Sequence, residues 1–381
     1  MNFELTNNDR RYLGIKLIET HWEKFQLSEE IVIYFDGSKI VKSIGIDEDS
    51  YEESDMNEET SENRTILLPK TKKGKPKKLN FSSFNSRNGI GTYFSFTAGE
   101  EGVIIGNYTN QRTFYDTYFE GIVIEDFVEL RKWLDNFINS SPKNHLKDIQ
   151  DFGTKKRKLV HIKEGDFFTF KVDRFNYGFG RILLDVRKLK KNKAFKDKKN
   201  YGLLNLMSQP LTIKVYHKKN TSKDINLKEL KKCKSIPSQH IMDNRFLYGD
   251  YEIIGNIPLE KEELDFPISF SQSISQKDLE TIYFQWGYIY KEKHPKQISD
   301  DLTGNYFRNE GVGFDLDLKK SLLDNCINND SNNYYWNSNE FQTIKEDLRN
   351  PKNKEYKNKI FKEFGLNPQF EYYENALQHG V

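Results

Sequence analysis

Glu164-Gly165-Asp166-Phe167-Phe168-Thr169-Phe170-Lys171-Val172 is followed, after a turn near Asp173 to Asn176, by Tyr177-Gly178-Phe179-Gly180-Arg181-Ile182-Leu183-Leu184-Asp185-Val186. Two apolar, aromatic-rich runs of strand length around a short polar turn read as an antiparallel pair. Gly178 and Gly180 on the returning strand imply a bend, a bulge or a close-packed neighbour there. Downstream, Leu211 to Tyr216 alternates as a strand, Tyr251 to Gly255 is another, and Thr281 to Tyr290 is the most aromatic segment of the chain. Residues 158–290 therefore predict a small curved antiparallel sheet or partial barrel.

Upstream, Ile31 to Phe35, the turn Asp36-Gly37 and Lys39 to Val41 predict a hairpin, with further strands at Thr65 to Leu68, Gly91 to Phe96, Val103 to Ile105 and Thr113 to Phe119. Apolar residues at 127, 130, 134, 137 and 138 predict a helix that packs on this sheet. A polar stretch beginning at Asn139 reads as the stop of that helix and the start of a linker. The run Lys188 to Asn200, with lysines at 188, 190, 191, 193, 196, 198 and 199, reads as a solvated loop or edge. Past His294, Asp317 to Cys326 and Lys357 to Phe364 read as short amphipathic helices between Asn-rich loops. The expected organisation is an α+β, β-rich protein: an N-terminal domain over 1–140, a linker over 141–157, a β domain over 158–314 and a helical, loop-rich tail over 315–381.

The 381 residues hold 28 Phe, 21 Tyr and 4 Trp, so burial leans on rings rather than on a Leu/Val background. A wholly disordered chain lacks those rings, and no apolar stretch approaches the length that crosses a bilayer. The first residues show no basic and apolar export pattern, which leads to the expectation of a cytoplasmic protein. Cys233 and Cys326 are far apart and lack CxxC spacing, so they read as reduced thiols.

The net charge of +2 conceals segregation. Residues 141–240 carry 26 Lys and Arg against 9 Asp and Glu, whereas the remainder carries 33 against 48. Asp47, Glu48, Asp49, Glu52, Glu53, Asp55, Glu58, Glu59 and Glu62 form an acidic run followed at once by a basic one from Arg64 to Lys78. The acidic run has two readings: a flexible hairpin that keeps the protein soluble, or a mimic of a phosphate backbone that caps a basic partner.

Sequence motifs for catalysis are missing. No two of the seven histidines are closer than sixteen positions, which removes HExxH and HxH pairs, and no calcium loop, P-loop or nucleophile elbow is present. No cofactor is expected. The basic segment 187–199, with Phe195 and Tyr201 close by, leaves nucleic-acid binding as an alternative, and a hydrolase with a non-local site is a second.

The Glu164 to Phe170 and Tyr177 to Leu183 strands resemble the immunity protein 26 family of bacterial polymorphic toxin systems. Phe284-Gln285-Trp286-Gly287 and Tyr306-Phe307-Arg308-Asn309-Glu310-Gly311-Val312-Gly313-Phe314 are similar to the rest of that pattern, so the resemblance spans about 158–314. Residues 1–140 resemble an N-terminal extension of no assigned activity. The resemblance implies a non-enzymatic protein that binds a cognate toxin and occludes its active site. It further implies a toxin acting in the cytoplasm, such as a basic nuclease or a nucleotide-consuming enzyme, and no membrane partner. The contact residues expected on that basis are Glu52, Glu53, Asp55, Glu58 and Glu59 on the acidic run, and Tyr177, Arg181, Trp286 and Arg308 in the second domain.

Overall fold

A computed structural model describes residues 3–69, 71–196, 198, 200–313, 320–338 and 342–381. They form two compact units, 1–156 and 157–381, and the fold is α+β with three open, antiparallel sheets and no closed barrel.

In unit 1 the strands are β1 (Glu23–Gln26), β2 (Ile31–Asp36), β3 (Lys39–Ile46), β4 (Ser50–Ser61), β5 (Ile66–Leu67), β6 (Lys77–Lys78), β7 (Ile90–Thr97), β8 (Gly102–Asn107) and β9 (Arg112–Asp116). The sheet runs β1-β2-β3-β4-β7-β8-β9, with β5 and β6 branching from β4. One cross-strand row of its inner face reads Val32, Ile44, Glu53, Phe94 and Ile105. Above it pack the helices Asn7–Leu13, Phe127–Asn139 and His145–Thr154 through Leu13, Leu130, Leu134, Phe137, Ile149 and Phe152. Asp126 starts the second of these by accepting from the amides of Val128 and Glu129, both at 2.8 Å.

Two expectations fail in this unit. The stretch read as a linker contains the helix His145–Thr154, because His145, Ile149 and Phe152 fall on one helical face and are buried there. The acidic run is no flexible arm: it is β4, paired with β3 and β7 in the middle of the sheet. Glu53 is fully buried, and cations answer it directly. Lys42 Nζ lies 2.8 Å from Glu53 Oε1 and 2.9 Å from Asp55 Oδ1. Arg10 donates from Nε and Nη2 to the two Glu53 oxygens at 2.8 and 3.0 Å, and the Tyr51 hydroxyl donates to Oε2 at 2.7 Å. Burial pushes the Glu53 carboxyl up, but Lys42 and Arg10 outweigh it and hold it below the ordinary value.

In unit 2, β10 (Asp166–Lys171), β11 (Tyr177–Asp185), β12 (Pro210–Asn220), β13 (Gln239–Met242) and β14 (Glu252–Asn256) form a sheet of order β13-β12-β11-β10-β14. Strands β15 (Ile268–Gln272), β16 (Ile282–Trp286) and β17 (Ile289–Lys293) form a second. The register shifts between Gly178 and Gly180, and a Cβ on Gly180 would come within 2.2 Å of the Phe168 ring, so that glycine provides both the bulge and the close packing expected of it. The aromatic segment Thr281 to Tyr290 holds the β16–β17 hairpin. It turns at Gly287, whose φ is 56°.

The C-terminal helices pack against both sheets of this unit. The helices Lys320–Asn328 and Asn333–Asn337 bring Leu323, Cys326, Ile327 and Tyr335 against Phe168, Ile182, Ile213 and Val215. Helices Lys354–Glu363 and Tyr372–Gln378 cover the small sheet, with Phe361 and Tyr372 rings 5.1 and 5.2 Å from Trp286. Each sheet has an apolar face that needs a partner, and these helices supply it. Phe314 and residues 317–319 of the expected features lie outside the described residues. Arg349 fastens the segment: it donates to Asp347 Oδ2 at 2.7 Å, to the Ser238 carbonyl at 2.8 Å and to Ser238 Oγ at 2.9 Å, and lies 3.1 Å from Asp265 Oδ1. Nearby, His240 is fully buried. Burial and the Arg349 charge push its pKa down to about 3.

Lys42→Ala leaves Asp55 buried without a cation and Glu53 with Arg10 alone, and Arg349→Ala takes the cation from Asp347. Each change should cost about 3–5 kcal/mol in urea denaturation. His240 must gain a proton on unfolding at any pH between its folded value and the unfolded 6.5, so its contribution to stability is complete above that range and fades as pH falls. Between about pH 7 and about pH 5 the loss should reach about 2 kcal/mol, and a His240→Asn variant should lack that slope.

Candidate partner-binding surface

Strands β10, β11 and β12 place Phe167, Arg181 and Lys214 in one cross-strand row. Arg181 is wholly buried: its Nη2 donates to the carbonyls of Ile257 and Pro258 at 2.9 and 3.1 Å and to Glu263 Oε2 at 3.2 Å. Its guanidinium carbon sits 4.2 Å from the Phe167 ring centroid. Lys214 Nζ approaches Glu263 Oε1 at 3.5 Å, and burial lowers its pKa despite that carboxylate. Arg181 is thus an internal anchor and offers nothing to a partner. Trp286 is only 5% exposed and is core as well.

Four of the nine expected contact residues are therefore interior: Glu53, Asp55, Arg181 and Trp286. The rest are scattered. Glu52 is exposed and accepts from the Tyr108 hydroxyl, Glu58 pairs with Arg87 at 2.8 Å, and Glu59 pairs with Lys39 at 3.3 Å. Arg308 is exposed and lies 3.4 Å from Glu310. That carboxylate, accepting from the Gly202 amide at 2.6 Å and from Tyr283, is raised by burial. Glu52, Glu58 and Glu59 belong to the first unit and Arg308 to the second.

Tyr177 is half-buried. It opens β11 beside the β10–β11 turn, where Asp173 Oδ1 accepts from the amides of Phe175 and Asn176 at 2.6 and 2.7 Å and its Oδ2 from the Asn176 side chain at 2.8 Å. The carboxylate fixes the turn, and Phe175 projects from it 48% exposed. Lys171 Nζ stands 4.3 Å from the Tyr177 ring centroid and Lys223 Nζ 5.7 Å from it. The result is a rigid hairpin end that shows two aromatic rings in a cationic frame. Phe175 and Lys171 were missed by sequence reasoning, although an apolar residue inside a polar turn was the available signal.

The basic run 187–199 is less of a free loop than its lysines suggest. Residues Val186–Lys191 form a 3-10 helix, Leu189 and Phe195 are buried, and Lys188 and Lys198 pair with Glu164 and Glu292. An open groove of about 340 Å³ in unit 1 is floored by Asp9 and Arg131, which satisfy each other at 2.8 Å. Among the described residues no group of three or more His, Cys, Asp or Glu is placed to hold a metal ion.

Residues 163–278 match the family model described as Immunity protein 26. The match takes in the five-stranded sheet, β15 and the hairpin end, and it stops short of the Phe284 to Gly287 and Tyr306 to Phe314 elements expected to share it. No curated protein and no solved structure matches the chain.

Phe175→Ala removes a half-exposed ring and should change unfolding stability by no more than about 0.5 kcal/mol. Arg181→Ala removes the nearest cation from the largely buried Glu263, leaving Lys214 at 3.5 Å, and should lower stability by about 3 kcal/mol or more in urea denaturation.

Proposed function

We propose that the protein binds a cognate toxin directly and neutralises it by covering the toxin's active site, acting in the cytoplasm and without catalysis of its own. The observation that carries this reading is the Immunity protein 26 match, which contains the one rigid aromatic projection of the second unit singled out above. Interface energies concentrate in a few Tyr, Trp and Arg anchors within a contact of about 1,600 Å². Phe175 and Tyr177, held by Asp173 and flanked by Lys171, have that character. Arg308 stays a peripheral contact in this account. Among the described residues no helix is long and apolar enough to cross a membrane.

Co-expression with the products of adjacent reading frames tests the proposal. The full chain should restore growth to cells making one of these as a toxin and should co-purify with it. A Phe175→Ala, Tyr177→Ala double variant should keep its melting temperature and weaken the complex about thirtyfold or more in a titration. An unchanged dissociation constant in that variant would remove the hairpin end from the interface.

A further inference from the structure

The face of the unit 1 sheet opposite the helices is divided. At one end Ile33, Phe35, Ile40, Met56, Leu67 and Phe84 form a small core beneath β5, β6 and the short helix Phe81–Phe84. The other end is open. There the cross-strand row is Ile31, Gly45, Glu52, Ser95, Ile104 and Asp116. A Cβ built on Gly45 meets nothing within 4 Å, Glu52 is exposed, and Ser95 and Ile104 are half-buried. Tyr93 lies flat across Gly106, where a Cβ would come within 2.4 Å of its ring. Tyr108 stacks on Tyr93 at 4.2 Å and donates to Glu52 Oε1, so both rings rest half-buried on the surface.

Three turns meet at this end. The Ala98 amide donates to the Asp49 carbonyl at 2.8 Å and the Ile46 amide to the Glu30 carbonyl at 2.9 Å, which ties the β1–β2, β3–β4 and β7–β8 connections together. They carry Glu29, Glu30, Asp47, Glu48, Asp49, Glu100 and Glu101, all exposed. Neither residues 43–63 nor residues 88–111, which supply β4, β7, β8 and most of the face, contain a Lys or Arg. The carboxylates are spread along a rim and do not converge on an ion: no three of them are placed as ligands among the described residues.

We propose that this open face is a docking surface for a positively charged face of a protein partner, which on the reading given above is the toxin. The surface is a broad sheet face, which suits another protein rather than a small molecule. Its Tyr, Ser and Gly content gives contact area at low entropic cost together with adaptable hydrogen bonding. The rim of like charge selects a basic partner and speeds its encounter, and it repels a nucleic acid. On this proposal the acidic segregation read from the sequence meets a basic partner, but through a different set of carboxylates. The exposed turns and Glu52 carry it, while Glu53 and Asp55 hold the core.

Two variants test the surface in the full chain. Glu48→Lys, Asp49→Lys, Glu100→Lys and Glu101→Lys together reverse the rim. Gly45→Arg plants a bulky cation in the open face at a position with room for a side chain, so it should fold normally. Binding of an oligolysine peptide is measured at about 50 mM and about 300 mM salt, with oligoglutamate as the control and hydrogen exchange to locate the contact. Wild type should bind oligolysine alone, weakly at the higher salt, with protection in 46–52 and 95–104. Each variant should lose about tenfold or more in affinity. Protection elsewhere, or binding indifferent to both variants, overturns the proposal. Toxin neutralisation is scored separately: full neutralisation by both variants overturns this surface and leaves the toxin reading intact, whereas a wild type that neutralises nothing yet binds oligolysine here overturns the toxin reading alone.

Discussion

A carboxylate on the core face of a central strand stays ionised only if a cation is brought into contact with it, and the first unit is arranged around meeting that demand. Glu53 occupies the middle of the row that otherwise holds Val32, Ile44, Phe94 and Ile105. Lys42 comes from the neighbouring strand and Arg10 from the first helix, so sheet pairing and helix docking both have to be correct before the charge is compensated. An ion pair of this kind adds little net stability, but misplacing either partner is heavily penalised. It fixes register and helix position together. The second unit repeats the device with the sign exchanged, Arg181 being the buried charge and Glu263 the group that answers it.

This arrangement also explains how far the sequence could be read. Strands with apolar or aromatic runs were legible, as at Ile31 to Phe35 and Phe167 to Phe170, and so was the helix Phe127–Asn139 with its regular apolar face. Strand β4 was not, because Ser50 to Ser61 is rich in Glu and Asp, and the cations that admit two of them to the interior lie in other elements. The helix His145–Thr154 hid for a different reason: three buried side chains among polar ones are enough to dock ten residues but too few to stand out. Gly287 gave the β16–β17 turn little signal, since a single glycine inside an aromatic run looks like a bulge as readily as a turn.

The candidate contacts divide along the same line. Residue type alone marked Arg181 and Trp286 as interface anchors, and both types are equally suited to a packed interior. The aromatic pair Tyr93 and Tyr108 could not be read from the sequence, because the two lie fifteen positions apart and meet only through the β7–β8 pairing and the space above Gly106.

The closure of unit 2 by its C-terminal helices bears on how the protein is made. The strands matched to the family, 163–278, leave the translation machinery well before Phe361, Tyr372 and Arg349, which complete the two cores. The first unit has all its own residues by 156 and can fold while the rest is synthesised. The second must wait with its aromatic strands uncovered until its helices Lys354–Glu363 and Tyr372–Gln378 have emerged. Chains that stop before residue 354 therefore carry a folded first unit and an uncovered second sheet, a form that quality-control proteases recognise readily.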